Sequence, residues 1–352
     1  MESTTVGIDL AKQVFSVCVM NERGQVTQRL ELKRDTLAEW LRQRQAGTVV
    51  AMEACSSAHH WARLCNQYGL QPRLMAAQFV KPFRKSGAIK NDRQDAEAIA
   101  TAARQGNMRF VTVKTVAQQA RLSWHRVRDG YKKDALAVTN RIRGLLAEFG
   151  VAISRSNLAL RRALAELDAL ELPPELKELI RLQQQHWQQI EAQRKLCDER
   201  IQAHAEQDER CRRIRGLTGV GPLTADAIVA SIGNAQDFKN GRQCAAWLGL
   251  TPSQHGTGGR VLLGRISCRG DSYLRSLLIQ GARSSLQRAK VTPEAQQTPE
   301  QKWIVQLATR LPFGKVLAAI ANKHARQIWA MLARNEAYDP EAWLKHPMVQ
   351  RG

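Results

Sequence analysis

The sequence predicts an α/β layered N-terminal domain, then a helical, coiled-coil segment, then a mostly α-helical C-terminal region. Three observations carry this prediction. Short apolar runs of strand period alternate with amphipathic helical stretches through the first hundred residues, the element order of an α/β layer. Residues 157–208 are polar and helical, with apolar positions at alternating four and three spacing. From Cys211 onward, glycine-rich corners separate helical patterns. The corresponding boundaries are 1–150, 151–210, 211–290, and 291–352 for a linker and closing helices.

Taken in order, Thr4–Lys12 and Val14–Val19 read as two strands meeting at a polar corner, with Asp9 inside the first. An acid in an apolar strand costs several kcal/mol, on the order of the penalty for an unpaired buried polar group, unless a cation or metal ion meets it. Asn21–Gly24 reads as a hairpin turn and Val26–Leu32 as a third strand. Asp35 is placed to cap a helix reaching about Gln45. Thr48–Met52 is a compact strand ending at Glu53, followed by a helix from about Ala58 to Tyr68 and a short strand at Arg73–Met75. A basic loop carrying Arg84, Lys85 and Lys90 leads into a helix start at Asn91–Ala100 that brings Asp92 and Asp95.

Residues 115–147 read as one long helix, with Trp124, His125, Arg126 and Arg128 among its apolar positions. The region 157–208 is interrupted at Pro173-Pro174; beyond it, Leu176, Ile180, Gln183, Trp187, Ile190, Arg194, Cys197 and Ile201 form a heptad seam with two polar positions. Such a seam serves either an intramolecular helical hairpin or a dimer contact. The stretch Ile214–Ala225 joins two helical patterns through Gly219 and Gly221 and resembles a helix-hairpin-helix, in which backbone N–H groups hold a DNA phosphate. The plain alternative is a helix–helix turn that needs glycine for positive φ. Residues 253–270 then form a glycine-rich loop between basic helices, bearing hydroxyls at Ser253, Thr257 and Ser267. Trp303–Leu332 is helical and follows a Pro/Gln-rich linker near 291–300.

Composition narrows the function. The 352 residues carry a formal net charge of +21, with hydrophobic residues at 43% and aromatics at 5%. Residues 104–145 hold ten Lys/Arg against two acids, and residues 211–290 hold twelve against three. Two separate basic segments point to a polyanionic partner, foremost nucleic acid, through Lys12, Arg84, Lys85, Lys90, Arg126, Arg128, Arg215, Arg260, Arg265 and Arg269 with the Gly219/Gly221 backbone. The seven cysteines are scattered, with no CxxC pair, which argues against a zinc site or a disulfide framework. The sequence holds no apolar run of membrane-spanning length and no signal peptide, so a cytoplasmic protein with no membrane partner is expected.

Asp9, Glu53, Asp92 and Asp95 make a set of four acids, the last two at i, i+3 on one helix face. Singly each has an ordinary reading: a cap, a solvated first-turn acid, a strand-end charge. Together, in this order of elements, they favour a site for a hard divalent cation, Mg2+ or Mn2+, and phosphodiester chemistry.

Val6–Lys12, Met52–Cys55 and Lys90–Ala96 resemble the three DEDD blocks of insertion-sequence transposases of the IS110 family. Trp247–Pro252, Gly264–Ser267 and Tyr273–Arg275 resemble that family's C-terminal domain, and Leu278–Arg283 is similar to its IS1111 branch. The resemblance spans nearly the whole chain. It implies an RNase H-like (RuvC-like) N-terminal domain, a coiled coil used in oligomerisation, and a C-terminal domain that donates a serine nucleophile. It further implies DNA as substrate, a structured bridge RNA as guide, and a homo-oligomer, dimer or tetramer, acting at the nucleoid. The family's serine lies in a Ser-Ser-Gly-Gly or Ser-Thr-Gly-Gly run after Gly-Leu-Thr-Pro. Here the loop reads His255-Gly256-Thr257-Gly258-Gly259, so Thr257 takes the serine's place, with Ser253 and Ser267 as neighbouring hydroxyls. Two other functions fit the same residues. A metal-dependent junction nuclease or DNA invertase would use the acids without the hydroxyl, and a nucleic-acid-binding protein that has lost catalysis would use neither.

Overall fold

The computed structural model describes residues 4–84, 92–257 and 260–343, and divides into two compact units, Met1–Val116 and Ala117–Gly352. The division falls well before residue 150 because the long helix that begins at Val116 packs its apolar face within the second unit.

The first unit is a mixed sheet between helices. Its strands are β1 (Thr5–Asp9), β2 (Val14–Met20), β3 (Val26–Lys33), β4 (Val49–Glu53), β5 (Gln71–Met75) and β6 (Phe110–Val111), in spatial order β3-β2-β1-β4-β5-β6. β1, β2 and β3 form an antiparallel meander, β4 and β5 run parallel to β1, and β6 is antiparallel at the edge. The helices are α1 (Arg34–Arg42), α2 (Ala58–Gln67), the single turn α3 (Ala77–Val80) and α4 (Asp92–Ala103). α1 starts after Lys33, so Asp35 lies in its first turn and does not cap it. Strand alternation sorts the apolar residues onto two faces. Val6, Ile8, Val17, Val50, Met52 and Leu74 pack on Leu37 and Leu41 of α1 and Trp61, Ala62 and Cys65 of α2. Ala51 and Met75 meet Ala98, Ile99 and Ala102 of α4 on the other face, and Cys18 and Met20 meet Ala96 and Ala100. The central strands are thus covered on both sides, which is why they read as continuous apolar runs.

The second unit is mostly helical: α5 (Val116–Ala147), α6 (Asn157–Ala165), α7 (Pro174–Gln207), α8 (Glu209–Ile214), α9 (Pro222–Ile232), α10 (Gly241–Trp247), α11 (Ser272–Val291), α12 (Pro299–Arg310) and α13 (Phe313–Arg334). Two strands, β7 (Pro252–Thr257) and β8 (Arg260–Ile266), form an antiparallel hairpin between α10 and α11. The heptad seam of α7 faces inward. Leu176, Ile180, Trp187 and Ile190 are buried with Ala135, Val138, Ile142 and Leu146 of α5 and Leu160 and Leu164 of α6. The choice left open by the sequence therefore falls to the intramolecular hairpin. Its polar positions are accommodated locally, since Arg141 of α5 donates to Gln183 Oε1 at 2.8 Å and Arg194 pairs with Glu191 at 2.6 Å. The remaining core gathers α8 to α13 around Ile228, Leu274, Leu278, Ile320 and Ile328. The expected helix over 303–332 is two helices, because Pro312 breaks the run after Leu311.

Candidate active site

Asp9 and Glu53 end two adjacent parallel strands. The last registered pair is Ile8 with Met52, so the two acids follow at the same level, two residues beyond the facing pair Gly7 and Ala51. Parallel neighbours lie about 4.8 Å apart, and alternation turns both acids toward the face covered by α4. That helix lies unusually close. A Cβ on Gly7 would sit 2.2 Å from the Ala96 carbonyl oxygen and 2.6 Å from the Ala100 nitrogen, so only glycine lets α4 cross β1 at this depth. The crossing delivers Asp95 from the first turn of α4 into a place where it is 6% exposed.

A guanidinium gathers two of the acids. Arg84 Nε lies 3.0 Å from Asp95 Oδ1 and its Nη2 lies 3.3 Å from Glu53 Oε1. Burial pushes the Glu53 carboxyl above its ordinary value; Arg84 pulls it back and the negative charge of Asp95 pushes it up. The Cys55 thiol, two residues on, is likewise raised, by burial first and then by the charges of Glu53 and Asp9. Asp95 thus acts on Glu53, while Glu53 and Asp9 both act on the Cys55 thiol. Asp92 begins α4 one turn before Asp95, and its side chain, with Lys85 and Lys90, lies outside the described residues. Among the described residues, no three His, Cys, Asp or Glu side chains converge closely enough to hold a metal ion. The donor set is nonetheless all carboxylate oxygen, which suits a hard divalent cation. Between Glu53 and Asp95, positive charge is already supplied by Arg84.

In the second unit, the glycine-rich loop is a β-hairpin. Thr257 ends β7 and its backbone pairs with Arg260 at the start of β8; both side chains lie outside the described residues. The Ser253 hydroxyl donates to the Arg265 carbonyl at 3.2 Å, and the Ser267 N–H to the Thr251 carbonyl at 2.8 Å. The sequence missed this hairpin because Gly256, Gly258, Gly259 and Gly264 mask the strand alternation. Of the predicted nucleic-acid contacts, Lys12, Arg126, Arg215, Arg265 and Arg269 are exposed, whereas Arg128 pairs with Asp198 and Arg84 with the acids. Gly219 takes φ +87 and Gly221 precedes α9 as its cap.

One buried polar cluster went unrecognised in the sequence. Asp226, fully buried in the apolar α9, accepts from Arg121 Nε at 2.9 Å and meets His125 Nε2 at 2.8 Å; His125 Nδ1 lies 3.0 Å from the Tyr273 hydroxyl. Burial raises the Asp226 carboxyl, but its bonds to His125 and Arg121 outweigh that and hold it below its ordinary value. The signal was the one that singled out Asp9: an acid inside the apolar run Ala225–Ala230. This cluster ties α5, α9 and α11 together.

Comparison with known proteins places these features in a family. Residues 6–150 match the DEDD transposase profile of the IS110 group, described as "Transposase", and residues 211–298 match the profile "Transposase IS116/IS110/IS902 family". The chain is 43% identical over 344 residues to the "Probable family 20 transposase" of Pseudomonas aeruginosa, covering 97% of this chain and 100% of that one. It is 37% identical to the transposase for insertion sequence element IS1111A of Coxiella burnetii, covering 95% and 90% of the two chains. To the transposase for insertion sequence element IS1328 of Yersinia enterocolitica it is 35% identical, covering 95% and 98%. DEDD transposase domains depend in general on divalent metal, in keeping with the carboxylate set on β1, β4 and α4. No helix among the described residues is long and apolar enough to cross a membrane. With strand-end acids, basic surface and full-length similarity in agreement, the chain belongs to the IS116/IS110/IS902 family of transposases, enzymes that cut and rejoin DNA.

Proposed function

We infer that this transposase moves its insertion sequence by a metal-dependent, covalent recombination in which Asp9, Glu53, Asp92 and Asp95 hold Mg2+ or Mn2+ and Thr257 supplies the nucleophile. The observation that carries the reading is the sharing of one guanidinium, Arg84, by Glu53 and Asp95, beside the strand end that bears Asp9. Carboxylates drawn this close repel one another, and the cluster calls for cationic charge. A bound divalent ion would supply Lewis-acid stabilisation of charge on a phosphodiester oxygen. Such an ion would take over the charge that Arg84 supplies to Glu53 and Asp95, and Arg84 would then serve a DNA phosphate. The mixed sheet, with acids on two adjacent parallel strands and on the helix crossing them, supports the RNase H-like reading.

The Thr257 hydroxyl attacks phosphorus; its Oγ–P bond forms as the bond to the neighbouring nucleotide's oxygen breaks, and the proton passes to that departing oxygen. Attack of a free strand end on the Thr257 ester rejoins DNA and regenerates the hydroxyl. The threonine methyl crowds the attack relative to serine. Lys12, Arg126, Arg215, Arg265 and Arg269 are exposed for backbone contact, joined in this reading by Lys85, Lys90, Arg128 and Arg260. The Gly219–Gly221 turn presents backbone N–H groups to a phosphate in the manner of a helix-hairpin-helix. A structured bridge RNA as guide, a dimer or tetramer as the acting form, and the nucleoid as its place of action complete the proposal.

The test is denaturing gel analysis of purified RNA–protein complex, element-end DNA and Mn2+. A protein–DNA adduct is expected with the parent chain, a faster-forming one with Thr257→Ser, and none with Thr257→Ala. Full strand exchange by Thr257→Ala would favour the metal-dependent nuclease. No cleavage by the parent or by Thr257→Ser would favour a binding protein that has lost catalysis.

A further inference from the structure

Beside the Gly219 turn runs a groove of about 860 Å³, walled on one side by the 219–224 segment and on the other by α11. Its depth is set by two glycines. A Cβ on Gly219 would sit 2.3 Å from the Gly281 carbonyl oxygen, and one on Gly281 would sit 2.3 Å from the Gly219 carbonyl oxygen. The Ser285 hydroxyl, donating to the Thr218 carbonyl at 2.8 Å, fastens the same contact. Turn and helix therefore touch backbone to backbone, and the side chains flanking the contact on α11 rise as a wall.

That wall carries Gln280, Arg283, Ser284, Gln287 and Arg288 between the apolar Leu277 and Val291, with Leu223 and Thr224 opposite. Arg283, Ser284, Gln287 and Arg288 are exposed, and among the described residues no acidic side chain lines the groove. Like the exposed Arg126, Arg215 and Arg269, the two arginines differ from the ion-paired ones of this unit. Arg121, Arg128, Arg210 and Arg213 all take carboxylate partners, whereas Arg283 and Arg288 form no ion pair among the described residues. Both guanidiniums are thus available, five residues or about 1.4 helical turns apart, and the amides and hydroxyls beside them are hydrogen-bond donors. Paired cations with neutral donors and no acid are the chemistry that grips successive phosphates.

We propose that the groove between the Gly219 turn and α11 is a nucleic-acid backbone track, in which Arg283 and Arg288 hold neighbouring phosphates of one strand while Gln280, Ser284, Gln287 and Thr224 bond the sugar-phosphate edge. The proposal rests on the nucleic-acid reading of the basic surface. It adds a wall of α11 to the contacts expected from the turn alone. Phosphodiester is the shared chemistry, and the strand is either element DNA or guide RNA.

The experiment is fluorescence anisotropy on the full chain, with a random-sequence DNA duplex and a random-sequence RNA stem-loop, across about 50 to 200 mM salt. The Arg283→Ala/Arg288→Ala double variant alters only exposed side chains, and its melting curve is recorded beside the parent's. Affinity is expected to fall about tenfold or more on at least one nucleic acid, with the slope of log K against log salt shrinking by about 0.9 per lost phosphate contact on duplex DNA. An Arg283→Lys/Arg288→Lys variant is expected to keep the slope. Loss on one nucleic acid alone names the strand that occupies the groove. Unchanged affinity and slope on both, with the parent binding well, overturns the groove and leaves the wider reading standing. Failure of the parent to bind either overturns both.

Discussion

Gly7 of β1 lies so close to Ala96 of α4 that a Cβ at position 7 would stand 2.2 Å from the Ala96 carbonyl oxygen. This contact fixes how deeply α4 sits over the strand ends, and so how near Asp95 comes to Asp9 and Glu53. A residue with no side chain thereby sets how closely the helix that bears Asp95 crosses the strand that bears Asp9.

Gly7→Ala forces α4 outward. Overpacking of this kind costs about 1–3 kcal/mol. The expected outcome is a lower midpoint in urea unfolding and a weaker Mn2+ response, since the displaced helix carries Asp95 and Asp92 with it. A variant with the parent's stability and the parent's Mn2+ affinity would show that the crossing does not set the site.

Glu53 gives the metal-free protein a particular pH dependence. Its carboxyl is raised in the folded chain above the ordinary 4.5, chiefly by burial, so the folded state binds the extra proton between those two values. Stability from this group is therefore present at low pH and lost as pH rises through the raised value. Arg84→Gln removes the cation that restrains the shift, so the loss with rising pH becomes steeper; Glu53→Gln removes it. Urea unfolding in chelator from pH 4 to 8 reads both slopes, and identical slopes in all three proteins would contradict the assignment.

Asp226 titrates in the opposite sense. Its carboxyl lies below the ordinary 3.8 because His125 and Arg121 hold the charge against the pull of burial. Its contribution is present above that value and disappears as acid drives pH below it. Asp226→Ala leaves Arg121 and His125 facing an emptied, buried site, at a cost of about 3–5 kcal/mol. Circular dichroism melts should show the second unit weakened and its acid limb flattened.

Trp187 tests the direction of the heptad seam. It is 3% exposed and packs inside the α5–α7 hairpin. Trp187→Ala should cost about 3–5 kcal/mol by cavity formation, with the mass measured by light scattering unchanged from the parent's. A fall to monomer at unchanged stability would instead make the seam an intermolecular contact.

The N-terminal elements were legible because strand period and chemistry coincide there: an acid interrupts an apolar run at Asp9, and another ends one at Glu53. Asp95 was legible from its spacing to Asp92, but its partner was not, since Arg84 stands eleven residues earlier and outside any shared period. The β7–β8 hairpin was hidden because glycines interrupt its alternation. Asp226 was passed over for a different reason. The glycines at 219 and 221 drew attention to the turn, and its partners Arg121 and His125 stand a hundred residues away. Long-range pairing leaves no local period, and the acid inside the apolar helix was its one local trace.

The central claim is that the acids on β1, β4 and α4 form one divalent-metal site. Its most direct test is calorimetric titration of the full chain with Mn2+, for the parent and for Asp9→Asn, Glu53→Gln and Asp95→Asn. A saturable site is expected in the parent, with affinity dropping at least about tenfold in each variant, the loss expected when a charged ligand is replaced. Equal Mn2+ binding by the parent and all three variants would contradict it.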